Sequence, residues 1–530
     1  MTDTISSDDG AQWPILDRPA GGGMARRLRG ASRTTAMTAA VSLVLLGGVA
    51  TVTVRNLAPA ADPAEVVPAS AFAIAQLDLS LPGGQDDATA HLVHRFPGAA
   101  KGSGSIRDRL LNELFKTSND PHVDYGKSIK PWLGDHVAVA GWIDGAGNPQ
   151  LEFAVQSTDD DAARTALRKT SPDIGIAFSH GFAVIASSPR EAAATVRAAD
   201  KASLAKRSTY SGDLAALGGT PVATGWLDGP AMVKAITHAL RDEPTGLQAL
   251  TDSGLTGATS RIVAGLRVSD DGDNSAVQLD VIDRGAQPSN RSTSVDRLRQ
   301  LPAKTFAAVA VADPAGIARD IATAVKGPLG AFFGDFSGSE SCSFSSSSDG
   351  SVSSGSCDTG PPPESTDPLT AISDATGLMI PDDLVSLLGS DAVIAYGGLG
   401  AGGRPDIGLR SKPADVNVAA GVVLKLRNRL SDTGLDLTER VASGDFIVAT
   451  TEGYADDLAK HGSLGTVDRF ADAMRGMPSS VRFATYVDLG TILPLATHGL
   501  IPQLDHLTAL GIWSADVNGA TTTRIRLIVH

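Results

Sequence analysis

The chain has 530 residues, 42% of them hydrophobic and 20% charged, with a net charge of -14 and a pI of about 5.1. That length suits two to four folded units, and that apolar share is enough for real cores, which excludes a wholly disordered chain. The acidic balance argues against nucleic acid and anionic lipid as partners, because phosphate binding needs clustered Lys and Arg, and two cysteines exclude a four-cysteine zinc site.

Residues 1–33 are rich in Gly, Asp and Arg and read as a disordered cytoplasmic tail. Residues 34–54 (TTAMTAAVSLVLLGGVATVTV) carry no charge. At 1.5 Å per residue they reach about 31 Å, the thickness of a hydrocarbon core, and are expected to form a transmembrane helix. Arg26, Arg27, Arg29 and Arg33 precede the span and only Arg55 follows it closely, so the positive-inside rule places the N-terminus in the cytoplasm and the rest outside. The competing reading is a cleaved signal peptide, with Ala58-Pro59-Ala60 as its processing site. Both the leader and the apolar stretch are long for that. Residues 55–65 form a Pro/Ala linker.

Five short segments then recur in the same order. VPASAFA (67–73) returns as LPAKTFA (301–307), and WLGDHVAVAGWIDGAGNP (132–149) as LLGSDAVIAYGGLGAGGRP (387–405). GFAVIA (181–186) returns as DFIVAT (445–450), ATGWLD (223–228) as FATYVD (483–488), and GLRV (265–268) as GIWS (511–514). Repeats that keep their order point to duplication, so 66–297 and 298–530 read as two copies of one α+β unit. The first copy shows strand-like runs at 71–77, 137–142, 151–155, 182–186, 222–227, 262–268 and 277–282. Helices are expected at 162–169, behind an acidic start, and at 189–201 and 230–241. Gly-containing turns between strand pairs predict largely antiparallel sheets with flanking helices, in a two-domain tandem. The second copy carries a Ser/Gly-rich insert at 334–368 that holds Cys342 and Cys357. Outside the cytoplasm these two are expected to form a disulfide. It would close a loop of 16 residues and contribute about 3 kcal/mol through the unfolded chain. Phe332, Phe333, Phe336 and Phe344 near it could make this a recognition loop rather than a stapled surface insert.

The chemical motifs read as structural. Gly398-Leu399-Gly400-Ala401-Gly402-Gly403 has dinucleotide-loop spacing, but a turn and a strand follow it where that fold needs a helix. The same place in the first copy (144–149) is a hairpin connection. PHVDYGKS (121–128) lacks the first glycine of a phosphate loop. His91 and His94 could share a helix face and hold a metal, with His122 or His136 as further ligands, yet a complete ligand set is not evident. Asp228 and Asp488, each between a strand and a helix, fit N-caps better than catalytic carboxylates. The acidic runs 159–161 and 270–273 lack the spacing of a calcium loop and read as turns. Trp132, Trp142, Trp226 and Trp513 are expected to pack cores.

Val67-Pro68-Ala69 after a single span, then Arg95-Phe96-Pro97, Lys130-Pro131-Trp132-Leu133-Gly134 and Ala223-Thr224-Gly225-Trp226-Leu227-Asp228, resemble the actinobacterial, membrane-anchored domain of unknown function 3352 family. The resemblance covers the chain from about residue 66. It implies an anchored, extracytoplasmic protein and supplies no activity, substrate or catalytic residue. With no cofactor, metal or nucleophile motif in view, the expectation is a non-catalytic protein of the cell membrane that binds an envelope ligand or another envelope protein. An acyl-sized cavity favours the first, an exposed apolar patch the second, and converging titratable groups in a cleft would mark an enzyme.

Overall fold

The computed structural model describes residues 62–81, 85–95, 107–108, 111, 125–241, 260–271, 274–285, 292–314, 373, 377–400, 403–430, 436–497 and 504–530. These residues belong to one compact unit, Val49–His530. The expected tail, the span at 34–54 and the insert with Cys342 and Cys357 lie outside the described residues.

The protein is mixed α/β, with one large antiparallel sheet and flanking helices. The first eight strands are β1 (Ala71–Asp78), β2 (Leu133–Ile143), β3 (Pro149–Ser157), β4 (Gly175–Ser179), β5 (Phe182–Ala186), β6 (Ala223–Asp228), β7 (Arg261–Asp271) and β8 (Asn274–Asp283). Then come β9 (Thr293–Ser294), β10 (Ala307–Ala312), β11 (Asp391–Leu399), β12 (Pro405–Ser411), β13 (Thr438–Ala442) and β14 (Asp445–Ala449). The last are β15 (Ser480–Val481), β16 (Phe483–Val487), β17 (Leu507–Val517) and β18 (Ala520–Val529). Strands β9 and β15 pair with each other, and the other sixteen form a single sheet.

From one edge to the centre that sheet runs β4, β5, β3, β2, β1, β6, β7, β8, and from the other edge β13, β14, β12, β11, β10, β16, β17, β18. The two halves have the same order and meet where β8 pairs antiparallel with β18, from Ser275↔Val529 to Asp283↔Thr521. Each half therefore has eight strands in the sheet, where the sequence suggested about seven. The missed strand, β4, is short and is set off by Gly175, where a Cβ would strike the Ser188 carbonyl. The two copies share one sheet: a free β8 edge would expose unpaired backbone groups, and β18 satisfies them.

The helices are α1 (Gln85–His94), α2 (Asp160–Thr170), α3 (Pro189–Lys201), α4 (Ser208–Leu217) and α5 (Gly229–Ala239), followed by α6 (Asp296–Arg299) and α7 (Asp382–Leu388). The remaining four among the described residues are α8 (Val416–Leu430), α9 (Glu452–Ala459), α10 (Asp468–Ala473) and α11 (Leu489–Thr497). Their starts are written locally. Asp159 accepts from the amides of Asp161 and Ala162, and Ser188 accepts from Glu191 N ahead of Pro189 in the first turn.

Strand alternation splits the apolar residues between the two faces. On one face the first half packs Ile74, Ala140, Phe182 and Val184 beneath α3 and α4. On that same face the second half packs Ala310, Ala395, Ile447 and Tyr486 beneath α9 and α10. The opposite face carries two smaller cores. Trp132, Tyr125 and Ala163 of α2 make one; Phe446, Val448 and Val422 of α8 make the other.

Register tests the recurring segments pair by pair. Ala73 pairs with Gly141 and Leu227, and Ala307 with Tyr396 and Val487, which keeps the first, second and fourth matches in line. The third is displaced by one residue. Gly181 and Gly444, at φ 76° and 80°, each follow a residue of positive φ in a tight hairpin turn, so Phe182 corresponds to Asp445. A one-residue slip reverses the face of a side chain, and Phe182 and Phe446 do lie in cores on opposite faces. The fifth is displaced by two: Gly265 pairs with Thr224, while Gly511 pairs with Tyr486, the counterpart of Trp226.

Candidate functional site

An exposed apolar region of the sheet lies on the face opposite the main cores. Val309, Ile394 and Leu409 stand side by side on β10, β11 and β12, and Tyr396 and Ile407 form the next row. Val309, Ile394 and Ile407 are exposed, Ile394 to 46%. The first half repeats the arrangement: Phe153 pairs with Val139 and Ile185, and Leu151 with Gly141. Phe153 and Leu151 are exposed as well, Phe153 to 46%. Leu151 and Ile407 occupy the same position of their halves, so two apolar ladders sit on one face, related by the repeated strand order. Contiguous exposed apolar surface of this kind marks contact with an apolar partner.

The titratable residues singled out from the sequence are mostly occupied by structural tasks. Asp228 caps α5 by accepting from Ala231 N at 3.1 Å and pairs with Arg207. Asp488 accepts from Thr491 N at 3.0 Å and from Arg469 at 3.0 Å. His91 lies 2.7 Å from Asp270 at the surface, and His136 lies 3.8 Å from Asp78. The side chain of His94 and all of His122 lie outside the described residues. Among the described residues no three His, Cys, Asp or Glu side chains converge as metal ligands. Strand β11 ends at Leu399, which pairs with Pro405 at the start of β12 beyond a register shift after Tyr396, so Gly398, Gly400 and Gly403 sit at a hairpin end and not before a helix. Trp132, Trp142, Trp226 and Trp513 are all buried in cores. A surface hollow of about 400 Å³ is lined by Phe470, Met474 and Met477 with Arg299 and Arg475, beside α10 and on the covered face.

Two buried polar clusters had no motif to announce them. At the seam, Asp280 accepts from Arg267 and Arg524, both at 2.6 Å, and from Gln278 at 2.8 Å. Arg526 donates to Gln278 at 2.8 Å and to the Asp472 carbonyl at 3.0 Å. The second cluster is Glu152 on β3, 1% exposed. Both its carboxylate oxygens and the nearby Trp142 Nε1 are buried without a hydrogen-bond partner. Burial pushes its carboxyl up to about 8; Thr195 and Trp142 oppose the shift only in part. The strand pattern hid this residue. In Leu151-Glu152-Phe153 the apolar pair reads as inward and the acid as outward, and the fold inverts them.

No family model matches the chain, and no curated protein matches it. Among solved structures it is similar to TP0453 in its crystal form I, at 10% identity over 44% of this chain and 82% of that one, with a TM-score of 0.19. A likeness that slight carries no argument about fold or role.

Proposed function

We propose that this is a single-pass, membrane-anchored extracytoplasmic protein, as its resemblance to the 3352 family implies, with a duplicated ectodomain that binds an apolar envelope ligand without catalysis. The exposed ladder Val309, Ile394 and Ile407, matched by Leu151 and Phe153, carries the apolar part of the reading; it is an open patch and not a cavity, so by itself it fits a docked protein as well as an acyl chain. Charge favours the acyl chain: it asks for apolar area and no charge, and the net charge of -14 repels anionic headgroups. Supply is local. A linker of 55–65 spans at most about 40 Å when extended, which keeps the sheet close to the bilayer. The non-catalytic part of the reading rests on Asp228 and Asp488, whose carboxylates are engaged by helix caps and arginines.

The test is photo-cross-linking of the full chain in nanodiscs with a phospholipid carrying a diazirine in its acyl chain. Label is expected on peptides containing Phe153 and Ile394, and it should fall at least fivefold in the double variant Phe153→Glu, Ile394→Glu. Absence of label on those peptides sinks the acyl-chain reading. A second reading, docking of another envelope protein, is favoured by the openness of the ladder, and cross-links from the same positions to a protein would establish it.

A further inference from the structure

Glu152 sits where the second half has no polar group. By register its counterpart is Gly408, since Ala140 pairs with Glu152 and Ala395 with Gly408. Counting from the caps Ser188 and Thr451, Thr195 on α3 corresponds to Leu458 on α9. In the second half Leu458 and Tyr454 fill the space a Cβ on Gly408 would need. The same pair of positions is therefore Gly and Leu in one half, Glu and Thr in the other.

The helices above them differ in the same sense. Helix α3 buries Ala192, Thr195 and Ala199, whereas α9 buries Tyr454, Ala455 and Leu458. Apolar hold scales with buried area, and the fully buried side chains of α3 are smaller than those of α9, with Val196 and Ala198 packing beside them. Among the described residues no charged group balances Glu152: it pairs across the strands with Ala140 on β2, and Trp142 and Thr195 are the polar groups beside it. Asp62 near the same core is engaged by Ala64 N and Gln76, and Glu65, Arg190, Arg197 and Asp200 are exposed.

We propose that Glu152, Thr195 and Trp142 form a proton-operated latch, which holds α3 on the sheet while the carboxyl is neutral and loosens it when the proton leaves. An ionised carboxylate there has no cation beside it and only partial relief from Thr195 and Trp142, and lifting α3 lets water reach it. Opening converts a buried neutral acid into a hydrated carboxylate and releases one proton to solvent. The second half, lacking the acid, has no such response.

Hydrogen exchange of the full-length chain, read as protection factors for 189–201 and 452–459 between pH 5 and pH 9, tests this. Protection of α3 relative to α9 is expected to fall up to roughly tenfold per pH unit between pH 5 and pH 8 and to level off above. Glu152→Gln should flatten that ratio, as should the pair Glu152→Gly with Thr195→Leu, which installs the residues of the second half. A ratio constant with pH in the natural chain overturns the latch, whether or not the variants fold. A decline that persists unchanged in Glu152→Gln overturns it too.

Discussion

Single side chains here matter most where they are buried without relief. Glu152 is an acid whose folded value, about 8, stands above the ordinary 4.5. The native state therefore holds its proton over a range where the unfolded chain has lost it. By linkage, stability from this group is greatest below pH 4.5, falls as pH rises to about 8, and is flat beyond. Urea midpoints of the natural chain should drop across that window. Glu152→Gln should remove this part of the slope and add a few kcal/mol, in order of magnitude, at pH 8; identical slopes would refute the assignment. Asp445 is the opposite case, a buried acid held by Arg297 and, at 2.6 Å, by Arg410. Both arginines are under a tenth exposed. Asp445→Ala leaves two buried cations facing each other and is expected to cost about 3–5 kcal/mol by chemical denaturation. A cost below 1 kcal/mol would mean that water or Asp391 takes over the role.

At the level of elements, local signals marked α2, α3 and α5 closely, missed α1 and α4, and left the short strand β4 unread. Helix 189–201 was legible to the residue because Ser188, Pro189 and Glu191 are a start signal that needs no tertiary partner. Strand β4 was not, because five residues of mixed character become a strand only when β5 offers an edge. Asp228 and Asp488 show what a local signal can promise: the cap was readable, the arginine that joins it was not. Asp228→Ala should cost about 1–2 kcal/mol from the lost cap alone, seen as a lower thermal midpoint. Asp228→Asn should recover most of the cap and none of the ion pair. If Asn and Ala behave alike, the pairing with Arg207 dominates.

For the whole molecule the decisive feature is the seam. Strands β8 and β18 join two halves that the chain writes more than two hundred residues apart, and Asp280 draws Arg267 from the first half and Arg524 from the second onto one carboxylate. A shared sheet predicts shared cooperativity. Far-UV circular dichroism and tryptophan fluorescence should therefore give coincident urea curves. Asp280→Ala is expected to lower both midpoints together, by about 1–3 kcal/mol in stability, since it leaves two partly buried guanidinium groups without their shared acceptor. A curve that splits into two steps would show that the halves fold independently and that the seam is incidental.

The succession of most strands along the chain, several helix starts and the recurrence of segments were determined by the sequence itself, because turns, caps and apolar alternation act over a few residues. Which face each strand turns inward was decided only by the tertiary structure. Periodicity separates two sides of a strand without saying which one meets a core. Hence Phe182 and Phe446, alike in sequence, point to opposite faces. Hence also Leu151 and Phe153 stand exposed while Glu152 between them is buried. The candidate binding face and the latch both come from that choice, which is made by what packs above each strand.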